Sequence, residues 1–213
     1  HMESLSLLYL PKKDDIQRRL KDFKEVWENG DDKKIFAELA FCLCTPQSKA
    51  TASDLAIRRA IDAGVLHSGK AEDIEPHLTR SGVRFAHNKS RYIVEARNYF
   101  TQSGVLKIKS KLNFDDVVAL RGWLAENVLG MGMKEASHFL RNIGFGKDLA
   151  ILDRHILKNL KKHGVIKEIP KVLSKQKYLE IEQAMKKFSV KIRIRLDEMD
   201  LLFWSEETGQ IFK

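Results

Sequence analysis

LAENVLGMGMKEASHFLRNIGFGKDLAILDRHI, running from Leu124 to Ile156, decides how the rest of this chain is read. It fits two short helices joined by a tight turn. The first helix is expected to end near Val128. Gly130 and Gly132 flank Met131 in the turn, and glycine reaches positive φ without steric cost. The second helix is predicted to start near Met133, because Ala136, Phe139, Leu140 and Ile143 recur on one face. Gly144 and Gly146 then stop it. Such a turn aims backbone N–H groups and the positive end of a helix at one spot. Gly130, Gly132 and Met133 are therefore candidates for gripping an anion, phosphate above all.

Lys134 falls in the first turn of that second helix. A cation is disfavoured there by the helix dipole, which is the direction in which a lysine nucleophile is activated. A solvated surface lysine is the plainer reading. Asp153 follows the apolar run Leu149–Leu152 and precedes the pattern Ile156, Leu157, Leu160. That is an N-cap position, and a carboxylate beside a buried apolar segment is also placed for catalysis.

The surrounding composition narrows the class. The chain has 213 residues, enough for one or two compact domains, and 43% of them are hydrophobic, as in a folded protein. The net charge of +9 and a pI near 9.5 favour a polyanionic partner. No apolar run reaches the length of a membrane span, and no signal peptide is recognisable. Cys42 and Cys44 lie in an apolar run and are expected to be buried reduced thiols of a cytoplasmic protein. No residue set has zinc or iron–sulfur spacing, so neither metal nor cofactor is expected.

Strand-like alternation is nearly absent, and the whole chain reads as all-α. An amphipathic helix is predicted over about Lys13 to Glu28, ended by Asn29-Gly30. Ile35 to Cys44 is a buried helix, broken by Thr45-Pro46-Gln47-Ser48. Further helices are expected from Ala71 to Leu78, from Asn88 to Phe100 with its lysine and arginines facing water, and from Asn113 to Glu126 with Asn113 as cap. Ile156 to His163, Ser174 to Phe188 and a last helix around Leu196 to Trp204 complete the series. Lysines thicken between Lys158 and Lys177, enough to follow a nucleic-acid backbone. The closing Ile211-Phe212-Lys213 is apolar for a tail and suggests docking.

The turn Val128-Leu129-Gly130-Met131-Gly132, Lys134, Ala136 and Asp153 in the context Ala150-x-x-Asp153 resemble the helix-hairpin-helix (HhH-GPD) DNA glycosylase superfamily. KEASHFLRNIG, 134–144, is similar in particular to the archaeal-type 8-oxoguanine DNA glycosylase/AP lyases, as are Gly82, Arg84, Phe85, Lys89 and Tyr92-Ile93-Val94. The terminal pattern Asp200-x-x-x-Trp204 followed by Thr208-Gly209 and Lys213 resembles the same group. The four-cysteine iron–sulfur motif that the superfamily's endonuclease III branch carries is missing.

The resemblance implies two helical domains with the active site in the cleft between them. Residues 36–149 would form a six-helix domain ending in the hairpin, and 3–35 plus 150–213 the terminal domain. It implies that Lys134 attacks the sugar C1′ with the help of Asp153. Asp200, Trp204 and the Lys213 carboxylate would line the base pocket, and Gln47 would fill the duplex gap left by the extruded base, although the Pro46-Gln47 pair departs from this group's usual string. The implied partner is double-stranded DNA carrying an oxidised guanine, met by a monomer with no membrane attachment. A related glycosylase for another damaged base, or a non-catalytic DNA-binding module, are the alternatives. A module needs the hairpin but neither Lys134 nor Asp153.

Overall fold

The computed structural model describes residues 2–213, with helices over most of their length. The chain divides into two compact units, one of Val26–Phe139 and one of the residues up to Glu25 with Leu140–Lys213. Both seams fall inside helices, α2 (Lys13–Asn29) and α9 (Met133–Asn142).

The middle unit is built around α3 (Asp32–Cys44). Asp31 caps it, its Oδ1 accepting from Lys34 N at 2.9 Å. Ile35 to Cys44 are all buried, and a helix that is apolar all round belongs at the centre of a core. Against it pack α4 (Ala50–Asp62) and α6 (Ala86–Tyr99), with α5 (Ala71–Ser81) bridging the two. Neither Cys42 nor Cys44 is in a disulfide and both are buried, and burial pushes the Cys44 thiol up to about 12.

Three features of this unit differ from the expectation. A small antiparallel hairpin pairs Thr101 with Leu106 and Gln102 with Val105. Its central Ser103 and Gly104 both have positive φ, as a two-residue primed turn requires, and strands this short leave no alternation to detect. Next, α8 (Val117–Asn127), which follows the short α7 (Ile108–Lys111), starts later than predicted and is capped by Asp116. Asn113 instead accepts from Asp115 N at 2.9 Å, a local turn that keeps these residues out of the helix. Finally, Lys89 and Arg97 do not face water. Lys89 is buried on the same stripe as Ile93, Ala96 and Phe100, and Arg97 donates to the Leu66 and Gly69 carbonyls at 2.9 and 2.6 Å.

The terminal unit centres on α12 (Leu196–Thr208), in which Leu196 to Phe203 are all buried. The helix α1 (Met2–Tyr9), which the sequence did not suggest, meets it through Tyr9, whose hydroxyl donates to Glu198 at 2.8 Å. α10 (Arg154–Lys162) and α11 (Lys175–Ile192) pack on α12 as well. The irregular run Leu149–Leu152 is buried without helical bonds of its own. Glu182 accepts from Ala150 N at 2.7 Å, and the Tyr178 hydroxyl accepts from Leu152 N at 3.2 Å while donating to Ala150 O. These bonds meet the backbone demand of a buried loop and fix the approach to Asp153. The chain end docks as expected: Arg19 donates to the Phe212 carbonyl at 2.6 Å and its guanidinium lies 5.8 Å from the Phe212 ring. Among the described residues no helix is long and apolar enough to cross a membrane.

Candidate active site and nucleic-acid interface

In the middle unit the hairpin turn joins α8 to α9. Gly130 is the residue that needs to be glycine: φ is +83°, and an added Cβ would stand 2.4 Å from Cδ2 of Tyr92. Gly132 differs from the expectation. Its φ is not in the left-handed region, and its N–H donates to Glu135 Oε1 at 3.1 Å, so Glu135 caps α9 from its first turn. Met131 is buried beneath the turn, its N–H bonded to Val128 O at 3.1 Å. Gly130→Ala is expected to lower stability by about 2 kcal/mol or more, from left-handed strain plus the clash with Tyr92. Thermal melting measures this, and an unchanged melting temperature means that the turn relaxes freely.

Lys134 lies in the first turn of α9, partly exposed, with Nζ 3.4 Å from Glu135 Oε2. A second amine lies in the same unit. Lys89 is 4% exposed, and burial, with repulsion from Lys134 and Arg84, holds its amine down at about 8 against the pull of Cys44 and Glu135. By acidity alone Lys89 looks the readier nucleophile. Geometry says otherwise, because its Nζ donates to Cys44 O at 2.8 Å, Pro46 O at 2.5 Å and Ser48 Oγ at 3.2 Å, leaving no free donor position. Those partners carry the turn of Gln47, which is exposed and has φ +54°. Phe85, likewise left-handed and 53% exposed, stands over the same lysine at 5.8 Å.

In the terminal unit Asp153 is the N-cap of α10, its Oδ1 accepting from Ile156 N at 2.8 Å. Asp200 is buried on α12 and accepts from Arg141 Nη1 at 2.7 Å, while its Oδ1 has no hydrogen-bond partner. Burial pushes the Asp200 carboxyl up to about 6; the Arg141 guanidinium pulls it down and the Asp153 charge pushes it up. An interior carboxylate that still offers a free acceptor is poised to receive an N–H from a ligand. Trp204 is half-buried, its ring 4.6 Å from the His155 imidazole, and His155 Nε2 meets the Phe203 carbonyl at 2.9 Å. Lys213 is half-buried at the docked end.

Arg141, His155 and Lys89 went unremarked as site residues in the sequence. Lys89 did carry a signal: it falls at helical spacing on the stripe of Ile93, Ala96 and Phe100, where a lone charge needs partners. Among the described residues no cluster of His, Cys, Asp or Glu has the arrangement of a metal site.

Known proteins resemble this chain over most or all of its length. The family model described as 8-oxoguanine DNA glycosylase, Ogg-HhH, matches residues 16–194. An 8-oxoguanine DNA glycosylase/AP lyase of Fusobacterium nucleatum is 45% identical over 100% of this chain and 98% of its own. That of Methanocaldococcus jannaschii is 37% identical over 94% of this chain and 93% of its own. The M. jannaschii enzyme in complex with a 15mer DNA containing 8-oxoguanine superposes with a TM-score of 0.89 at 34% identity, covering 100% of this chain and 99% of that one. The 8-oxoguanine DNA glycosylase of Thermotoga maritima gives 0.88 at 34% identity, with both chains fully covered. With a hairpin turn that only glycine fits and a lysine opening the helix behind it, this chain belongs to the helix-hairpin-helix 8-oxoguanine DNA glycosylase family.

Proposed function

We propose that the protein is a bifunctional DNA glycosylase and AP lyase that excises 8-oxoguanine from duplex DNA and nicks the strand. The observation that carries this reading is Lys134 in the first turn of α9, directly behind the glycine turn of the hairpin. A binding module needs that turn but no lysine there. The relatives named above are glycosylase/lyases for this lesion, and one of them holds DNA that contains it.

In the proposed reaction the hairpin N–H groups of Gly130 and Met133 grip a backbone phosphate, joined by that of Gly132 once it exchanges Glu135 Oε1 for the phosphate, and the lysines of 158–177 add sequence-independent affinity. The damaged nucleotide leaves the stack, because C1′ is out of reach inside it. Gln47 fills the vacancy. The Lys134 amine attacks C1′ with its lone pair, the bond from C1′ to the base breaks, and the base departs with the electron pair and takes up a proton. Asp153 stabilises the positive charge that develops on the sugar. Opening of the sugar ring leaves an imine between C1′ and Lys134. Loss of a C2′ proton then expels the 3′ phosphate by β-elimination. Nothing in this sequence calls for a metal or a redox cofactor.

Asp200, Trp204 and the Lys213 carboxylate are the proposed lining of the base pocket. A carboxylate only accepts hydrogen bonds, and the edge of a guanine-type base offers N–H donors at N1 and N2. Duplexes carrying single lesions test the reading, with wild type and a variant extended beyond Lys213. Wild type is expected to cut at 8-oxoguanine in preference to oxidised pyrimidines. The extended variant is expected to lose excision by about tenfold or more, since an unpaired buried donor costs about 1–3 kcal/mol. Cleavage of a pre-formed abasic site, where there is no base to read, stays near wild type. Preference for another lesion transfers the enzyme to the related-glycosylase reading, and excision that tolerates the extension removes Lys213 from the pocket.

A further inference from the structure

We propose that Lys89 is a positioning residue: it holds the Thr45–Ser48 turn in the one shape that presents Gln47 to the gap left by the extruded nucleotide. The inference rests on the reading of Gln47 as the residue that fills that gap.

Gln47 has φ +54°, in the left-handed region. A residue with a side chain there costs about 1–2 kcal/mol and persists only where its surroundings dictate it. Two things dictate it here. The turn closes through Ser48 N to Thr45 O at 3.0 Å, with the Thr45 hydroxyl donating to Cys42 O at 2.8 Å. Lys89 supplies the rest, since its Nζ binds Cys44 O and Pro46 O before Gln47 and Ser48 Oγ after it. Ser48 Oγ also accepts from Arg84 N at 2.9 Å, so the neighbouring Gly82–Phe85 turn hangs on the same bracket. An ammonium has three donors, and all are spent on this one turn.

Stability does not explain an ammonium in this place. Burying a charge among neutral carbonyls is costly, and an apolar side chain of similar volume is often as stable or more so. The cost is visible in the amine, which burial holds at about 8. The titratable and charged groups that face it are the buried Cys44 thiol on α3, Arg84 ahead of α6, and Lys134 and Glu135 on α9. The sign follows directly. Below about 8 the ammonium donates all three bonds; above it the neutral amine donates only two, and the bracket loosens. Lys89 touches no substrate in this account and acts only through Gln47.

The test uses a duplex carrying a non-cleavable, 2′-fluorinated 8-oxo-2′-deoxyguanosine with 2-aminopurine beside it, whose fluorescence reports extrusion. Gln47→Ala, Lys89→Met and Ser48→Ala are compared with wild type. A second substrate, a single-stranded oligonucleotide with an abasic site, has no stack to fill, and borohydride trapping on it reports the intact Lys134 chemistry. Lys89→Met and Gln47→Ala are expected to cut extrusion to a similar extent, about tenfold, the scale of a buried acceptor left unpaired. Single-strand trapping by Lys89→Met stays at the wild-type level. Ser48→Ala, which removes one acceptor of the bracket, gives a smaller loss in the same direction. In wild type the extrusion signal falls as pH rises through about 8, and in Lys89→Met it is flat.

If Gln47→Ala lowers extrusion and Lys89→Met does not, the role of Lys89 is overturned and that of Gln47 stands. If Gln47→Ala changes nothing, the gap-filling reading falls and takes this inference with it. Should Lys89→Met fail to fold, Ser48→Ala decides, and an unchanged signal in that variant overturns the bracket.

Discussion

Lys134→Gln is expected to abolish covalent trapping. Wild type, mixed with an 8-oxoguanine duplex and borohydride, yields a protein–DNA adduct, because hydride reduces the imine to a stable secondary amine. An amide nitrogen has no free lone pair for attack on C1′, so the variant gives adduct and strand nicking only at background. Binding survives, since the hairpin N–H groups are backbone and Gln is a good helix former. The fold survives too. The substitution removes a partly exposed ion pair with Glu135 at 3.4 Å, and such pairs contribute about 0–1 kcal/mol. The competing amine is Lys89, which burial makes more acidic than an ordinary lysine, at about 8, but which has every donor committed. Trapping that persists in Lys134→Gln and disappears in Lys89→Met moves the nucleophile to Lys89 and overturns both assignments.

Asp153→Asn separates a cap from a catalyst. The Oδ1 bond to Ile156 N at 2.8 Å is available to asparagine, which caps about as well as aspartate. The variant gives up a negative charge at a helix N-terminus, worth about 0.3–1 kcal/mol. A small drop in melting temperature is therefore expected. Turnover on 8-oxoguanine duplex is expected to fall about 10²–10⁴-fold, the contribution of a positioned carboxylate to proton transfer or charge stabilisation. The charge matters locally as well, because it helps to hold the buried Asp200 carboxyl up near 6, and the variant lets that group fall toward its ordinary range. Near-normal turnover with a stable fold reduces Asp153 to a cap. A collapse in stability makes the carboxylate a structural element first.

Helix positions were legible because their causes are local. The stripe Ala136, Phe139, Leu140 lies on α9 with Ile143 just past its end, and Asp153 caps α10 through Ile156 N, as its place ahead of the apolar pattern predicts. The hairpin turn was legible for the same reason: the left-handed Gly130 and the first-turn Lys134 are properties of adjacent residues. Where local signals compete, legibility fails, as when Asn113 makes its own turn and leaves Asp116 to cap α8.

The chain alone thus determined most of the helices, the helix-hairpin-helix turn and the place of Lys134 behind it, all of which depend on spacings of four residues or fewer. Tertiary structure decided which polar groups are buried and what they meet. The Nζ of Lys89 finds its partners 41 to 45 residues away, Arg141 reaches Asp200 across 59, and Arg19 holds the Phe212 carbonyl across 193. On a helical wheel Lys89 falls on the stripe of Ile93, Ala96 and Phe100, but the wheel does not say what its charge will meet. Only packing of α6 against α3 removes it from water, and a desolvated ammonium must then take whatever acceptors the fold brings to it.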